Sequence, residues 1–257
     1  MFFCPPYAVE PCGLYSAGHL ALFLATALAI AAGLYAARNW SEGRVRTVIR
    51  TVTAVLWLLE IGKMLFVLLV TGSRNPNDFI PLYYCSLILF AGLLSSLSRG
   101  FLRRVGDVFI ATGGLVGGIC FLIVPNTSLP RYPLFHFISF HSFLLHGLMV
   151  YLGLLLLLRG VYRTRLRDIW YCAGIVSVMC ALAFAFNLIW DGTHPESPVA
   201  NLMFMSKDFP GTPVSLLYRL TGPLFPAAMW LVQAFVPFLA VYGVQALLLY
   251  LRSLREK

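Results

Sequence analysis

Seven apolar stretches, at about 18–38, 48–71, 79–98, 103–124, 135–159, 167–190 and 223–250, take up most of this chain. Each meets or approaches the ~20 residues that a helix needs to cross a hydrocarbon core ~30 Å thick. No water is present there to pair with peptide groups, so each stretch must satisfy its own backbone. An all-α fold is expected, a polytopic membrane bundle of seven transmembrane helices. Composition agrees, with 60% of the 257 residues hydrophobic and 11% charged, where a soluble domain carries roughly 25% charged residues. No tract between the stretches is long enough for a second domain, and residues 1–257 read as a single integral membrane domain. The opening "MFFCPPYAVEPCG" has no basic n-region and two early prolines. It does not read as a signal peptide, and the first span is expected to be retained.

A formal charge of +9 in a soluble protein would suggest a nucleic-acid partner; here the distribution of charge explains it. Fourteen basic residues lie in the loops after the first, third and fifth stretches and in the tail, which ends at Lys257. Only Arg74, Arg131, Lys207 and Arg219 lie in the loops on the other side. That asymmetry places the N-terminus outside and the C-terminus in the cytoplasm. The basic loops then need no partner beyond anionic lipid headgroups, and no nucleic acid is expected.

With this orientation, depth follows from 1.5 Å of rise per residue. Glu60 and Lys63 fall between the midplane and the outer half, Cys85 sits ~9 Å below the outer surface, and Asn187 sits at the outer end of its span. In "PLFHFISFHSFLLHGLMVYLG", residues 133–153, His136 is at the outer rim, His141 about a third of the way down and His146 near the middle. Asp107 is the main polar residue at the cytoplasmic end. Ionisable groups in a membrane face the bundle interior or a wet cavity, so a polar cavity open toward the outer leaflet is expected. Other readings remain open residue by residue. Glu60 and Lys63, three apart, can neutralise each other on one helix face, and Asn187 can act as interhelical glue.

Successive histidines in this stretch are five residues apart and differ by ~140° around the helix, so at most two share one cavity. Metal pairs on a helix favour spacings of three or four; none occurs here, and no metal or other cofactor is expected. Cys120, Cys172 and Cys180 read as small buried packers. Cys4 and Cys12 lie in the outside segment, where an oxidising compartment permits a disulfide. Cys85 stands in "FIPLYYCSLILF", one turn below the proline that starts its helix. On the residues alone it is a core packer or, with a histidine beside it at the same depth, a nucleophile.

Three segments resemble the transmembrane protein 164 / YwaF-like family. They are Pro81-Leu-Tyr-Tyr-Cys85; the run "PNTSLPRYPLFHFISFHSFLLHGLMV" with its His146-Gly147 pair; and Asn187 followed by Asn201-Leu202-Met203-Phe204 and Gly222-Pro223-Leu224. Leu202 stands where the family has Tyr, and "HPESPVA" (194–200) is an insertion between the two asparagines. The vertebrate member of that family moves a fatty acyl chain between phospholipids and depends on a cysteine and a histidine. The resemblance therefore implies a membrane-embedded acyltransferase with Cys85 and His146 as the catalytic pair. Its substrate would be a phospholipid or lyso-lipid, and its location a bilayer, expected to be the bacterial inner membrane. Asn187, Asn201, His141, His136, Glu60 and Lys63 are candidates for substrate binding or for polarising the ester carbonyl. Two other functions fit the same polar residues: a lipid or small-molecule transporter, and a lipid-binding protein or hydrolase.

The orientation is testable. A reporter fused after Lys257 is expected to be active only on the cytoplasmic side; activity only on the outer side overturns it.

Overall fold

A computed structural model describes residues 2–255, so the expectation attached to Lys257 lies outside the described residues. Among them the fold is all-helical. Six helices are long and apolar enough to cross a membrane, and the chain is a multi-pass integral membrane protein. Helix α1 is Ala17–Ala36 and α2 is Glu42–Phe66, which continues through a wider turn at Val67–Thr71. The third stretch forms only α3, Leu87–Leu97. Then come α4, Gly100–Ile123, α5, Phe137–Leu158, and α6, Ile169–Thr193. A short amphipathic helix, α7 at Pro213–Thr221, buries none of its residues. The chain ends in α8, Phe225–Arg255.

Local chemistry sets the starts of these helices. Ser16 accepts a hydrogen bond from the His19 amide to cap α1, and Ser41 does the same for the Arg44 amide at the start of α2. Each satisfies an N–H that the first turn leaves without a partner. At α5 the cap is a histidine: His136 Nδ1 accepts from the Ile138 amide at 3.1 Å.

The third stretch departs from expectation. At 1.5 Å per residue α3 is about 16 Å long, roughly half of a hydrocarbon core. Residues 80–86 ahead of it are extended and turned, because Pro81 lacks an N–H and pushes Ile80 out of the helical region. The helix begins at Leu87, not at the proline, and Cys85 stands in the turn before it. Irregular backbone at membrane depth is tolerated where protein, not lipid, surrounds it.

Helix α4 is the centre of the bundle. Its apolar window is 78% buried, against 6% for α1. It packs on α3, α5, α6 and α8, and glycines let it do so. A Cβ at Gly106 would lie 2.4 Å from the Ala91 carbonyl oxygen and 2.5 Å from the Ser95 nitrogen, both on α3. A Cβ at Gly118 would lie 2.8 Å from the His146 carbonyl oxygen on α5. Small residues at such crossings are how membrane helices gain contact without a hydrophobic driving force between them.

At the arginine-rich end, charge locks the helices together. Buried Asp107 accepts from Arg46 at 2.7 Å and from Ser95 Oγ at 2.6 Å, joining α4 to α2 and α3. Asp168, fully buried, accepts both Arg104 Nε and Nη2 at 2.7–3.0 Å and the Tyr162 hydroxyl at 3.0 Å. Burial and the adjacent Asp168 carboxylate push the Tyr162 phenol up. Arg159 donates to the Trp40 carbonyl at 2.9 Å and also to that of Arg38. Several basic residues expected to face only headgroups are thus internal ties.

Gly106→Ala should destabilise the protein by ~1–3 kcal/mol, since the α3 backbone it would meet cannot yield as a side-chain tip can. Thermal unfolding of the purified protein in one fixed detergent checks this; an unchanged midpoint contradicts the close crossing.

Candidate functional site

The three histidines of α5 have three different surroundings. His136, fully buried, uses both nitrogens: Nδ1 caps the helix and Nε2 bonds the Cys4 carbonyl at 3.1 Å. Its ring stacks on Tyr132 at 4.4 Å. It anchors the N-terminal segment to the start of α5. His141 faces α2, with Nε2 3.8 Å from Glu60 Oε2. His146 stacks face to face on Phe121 of α4, ring centroids 3.6 Å apart. Its Nδ1 lies 2.7 Å from the Ser142 carbonyl oxygen. A carbonyl only accepts, so Nδ1 carries the proton, and Nε2 of the neutral ring presents a lone pair.

Glu60 is buried, and Lys63 Nζ lies 2.5 Å from its Oε1. The pair forms between residues three apart on one helix, and Glu60 gains His141 as a second neighbour.

Cys85 lies beside a second irregular segment, residues 200–207, between α6 and α7. Asn187 on α6 holds this segment with its whole side chain. Its Nδ2 donates to the Leu202 carbonyl at 3.1 Å and to Ser206 Oγ at 2.8 Å, while Oδ1 accepts from the Leu202 amide at 3.0 Å. Asn201 Oδ1 accepts from the Ser206 and Lys207 amides, each at 3.0 Å. Two consecutive residues, Met203 and Phe204, have positive φ, +55° and +51°. This is an uncommon backbone for non-glycine residues and persists only where the surroundings over-determine it. The surroundings here are the Leu82 carbonyl, which accepts from the Met203 amide at 3.1 Å, and Gln233 of α8, which donates to the Met203 carbonyl at 2.9 Å. The Tyr83 and Phe204 rings meet at 5.3 Å. The two irregular segments therefore pack on each other through Leu82 and Tyr83, and Cys85, two residues further along, is half-buried.

The Cys85 and His146 segments meet the same part of α4. A Cβ at Gly117 would lie 3.3 Å from the Tyr84 ring and 3.6 Å from Met149 Cε, three residues beyond His146. Among the described residues the one hydrogen bond of the His146 ring goes to Ser142, and none joins it to the thiol. Two apolar grooves of the protein are lined by neither Cys85 nor His146. One, of about 280 Å³, lies between α6 and α8 beside Cys180 and Trp230. The other, of about 540 Å³, runs between α2 and α5 and is lined by Phe3, Gly62, Leu65, Phe66, Leu69, Val70 and Phe137. All six cysteines are free, Cys4 and Cys12 included. Cys172 and Cys180 are buried as expected, but Cys120 is exposed on the outside of α4 and is not a packer.

Four residues of this region were not singled out from the sequence. Asn77 Nδ2 donates to the Val199 carbonyl at 2.7 Å, and its Oδ1 accepts from the Asn201 amide at 2.7 Å and the Tyr83 hydroxyl at 3.1 Å. The turn-forming run Asn75-Pro-Asn77-Asp78 was its available signal. Gln233, an amide inside an apolar stretch, carried the same signal as Asn187. His19 is buried and fully paired, with Nε2 on the Leu122 carbonyl at 3.0 Å and Nδ1 accepting from the Tyr15 amide at 3.1 Å. The Tyr84 hydroxyl is buried without a partner against Gly113, and no pattern in the sequence marks it.

The profile of the TMEM164 family matches residues 14–247, most of the chain, with both irregular segments and α5 inside it. The chain belongs to the TMEM164 family. No curated protein and no solved structure matches it.

Asn187→Ala strands the Leu202 amide and carbonyl, at ~1–3 kcal/mol for each group left unsatisfied. Hydrogen exchange should rise selectively in residues 200–207, with α5 unaffected. Protection unchanged in that segment would remove Asn187 as its anchor.

Proposed function

We propose that this protein transfers a fatty acyl chain between lipids, with Cys85 as nucleophile and His146 as its base. The site would lie in the outer half of the bilayer, with the N-terminus outside, the C-terminus in the cytoplasm, and the inner membrane of a bacterium as the location. The observation that carries the reading is the 2.7 Å contact of His146 Nδ1 with the Ser142 carbonyl oxygen. With Nδ1–H given to the Ser142 carbonyl, Nε2 is the nitrogen free to take a thiol proton. Cysteine chemistry needs just such a base, because the thiolate and not the thiol attacks. The resemblance of Pro81-Leu-Tyr-Tyr-Cys85 and His146-Gly147 to the family's motifs favours the same pair.

In the first half of the reaction the Cys85 proton passes to His146 Nε2 and the sulfur attacks the ester carbonyl of a donor phospholipid. The ester C–O bond breaks, the leaving alkoxide takes the proton from His146, and a thioester remains on Cys85. In the second half a lyso-lipid hydroxyl attacks that thioester, the C–S bond breaks, and the hydroxyl proton ends on sulfur. The absence of a thiol–imidazole hydrogen bond in the unliganded protein does not count against the pair, because catalytic hydrogen bonds often form only once substrate is bound. Asn187, with both amide protons engaged, would act by holding residues 200–207 against the Cys85 turn.

Cys85→Ala should abolish acyl exchange while the protein still folds, since the change removes one sulfur from a half-buried side chain. His146→Ala should cost nearly as much, because the two act as a unit and their losses do not add. Lipidomics of cells expressing each variant at matched level is the measurement. Wild-type exchange by Cys85→Ala ends the covalent mechanism.

A further inference from the structure

At the arginine-rich end of the bundle, the short turn between α3 and α4 gathers guanidinium groups that no carboxylate balances. Arg46 is matched by Asp107 and Glu42, and Arg104 by Asp168. Arg50, Arg99 and Arg103 form no ion pair among the described residues. Arg50 Nη2 reaches across from α2 to the Ser96 carbonyl at 3.4 Å, and Arg103 Nε donates to the Ser98 carbonyl at 3.0 Å. Arg99, exposed, is part of the turn itself. Two carbonyls two residues apart thus hold two guanidinium groups beside the residue that carries the third. These carbonyls end α3, and the negative end of a helix dipole favours cations. That end is worth only about half an elementary charge, too little to balance all three arginines. Like charges held this close repel unless an anion stands between them.

The second observation is what borders the arginines. Leu97, the last residue of α3, is 71% exposed, and Phe101, in the first turn of α4, is 64% exposed. On α2, Ala54 and Leu58 follow Arg50 at intervals of four, so they continue its face of the helix. Both are exposed, Leu58 by 70%. Arg50 itself stands about 12 Å along α2 from Glu42, at 1.5 Å per residue. The cations therefore sit where polar surface gives way to lipid-facing surface, and an anion that settles there has hydrocarbon directly beside it.

We propose that Arg50, Arg99 and Arg103 bind the phosphate of an anionic phospholipid, whose acyl chains lie along the exposed faces of α2 and α3. Guanidinium forks match phosphate oxygens in pairs. One bond to a carbonyl leaves most of the donors of Arg50 and of Arg103 for that purpose. The site selects a headgroup with net negative charge, because the ammonium of a zwitterionic lipid would meet three cations and no free carboxylate. It is separate from the acyl-transfer site and does not rest on that reading: Cys85 precedes one end of α3, and the arginines gather at the other. A lipid held there would bridge α2, α3 and α4 at the level where Asp107 also joins them.

The test is a lipid titration of the full-length protein in a neutral detergent, with binding of the first lipid read by native mass spectrometry. Phosphatidylglycerol and phosphatidylethanolamine with the same acyl chains are titrated separately. The wild type should bind phosphatidylglycerol on the order of tenfold more tightly or better, at roughly fivefold for each arginine that contributes. The double variant Arg50→Gln/Arg103→Gln should lose that preference. Arg163→Gln/Arg252→Gln removes the same charge from two exposed residues at the same end of the bundle, and should keep it. Arg99→Gln alters one exposed side chain of the turn, so its fold is not at stake, and it should weaken phosphatidylglycerol binding about fivefold. It decides the matter if the double variant does not fold. A wild type without the preference overturns the site. So does retention of full affinity by Arg99→Gln, retention of the preference by the double variant, or an equal loss in the Arg163/Arg252 control. Displacement of the lipid by millimolar inorganic phosphate would assign the arginines to a free anion and overturn the lipid.

Discussion

A peptide N–H or C=O in hydrocarbon has no water to fall back on, and each one left without a partner costs several kcal/mol. Two stretches of this chain, residues 80–86 and 200–207, give up helical bonding within the bundle and so raise that cost repeatedly. The side chain of Asn187 meets much of it, with two donors and one acceptor aimed at Leu202 and Ser206. Asn77 and Gln233 reach in from other elements to complete the network. Three amides on three different elements thus make it possible for the turn carrying Cys85 to exist where a continuous helix would be the default. The left-handed pair Met203–Phe204 persists because this network leaves the backbone no alternative.

The long helices were legible because length and hydropathy are properties of a contiguous stretch. The third stretch misled for the same reason: apolar content measures burial, and a segment buried in protein is as apolar as one that spans lipid. Pro81 held the information that the helix starts later, through what it does to Ile80. The histidines show a different limit. Their helical spacing correctly implied that they cannot converge, but the sequence could not say that His136 would cap its own helix or that His146 would find Phe121. Those facts depend on neighbours more than twenty residues away in the chain, or on a particular rotamer. Cys120 was misread because which side of α4 meets lipid depends on helices that pack later in the chain.

Charge was read well as a pattern and less well as individual groups. The concentration of arginines at one end of the bundle was evident from counting. That Arg46, Arg104 and Arg159 are spent on Asp107, Asp168 and backbone carbonyls was not, since a basic residue that ties helices and one that faces a headgroup look alike in a sequence. The buried carboxylates were the better signal, because Asp107 and Asp168 must have partners to be there at all.

Helix α1 is the most lipid-exposed of the spanning helices, and its contacts are chiefly with α5. Gly147 of α5 meets Thr26, and Gly33 of α1 meets Tyr151. This has a consequence for biogenesis. Helix α1 is made before the other described helices and has almost nothing to dock on until Phe137–Leu158 has also been made, some hundred residues later. At about 5–20 residues per second that interval is roughly 5–20 s, during which α1 must rest in the bilayer as an independent span. Its near-uniform apolar surface suits a helix that waits alone, and its docking on α5 would be a late event in assembly.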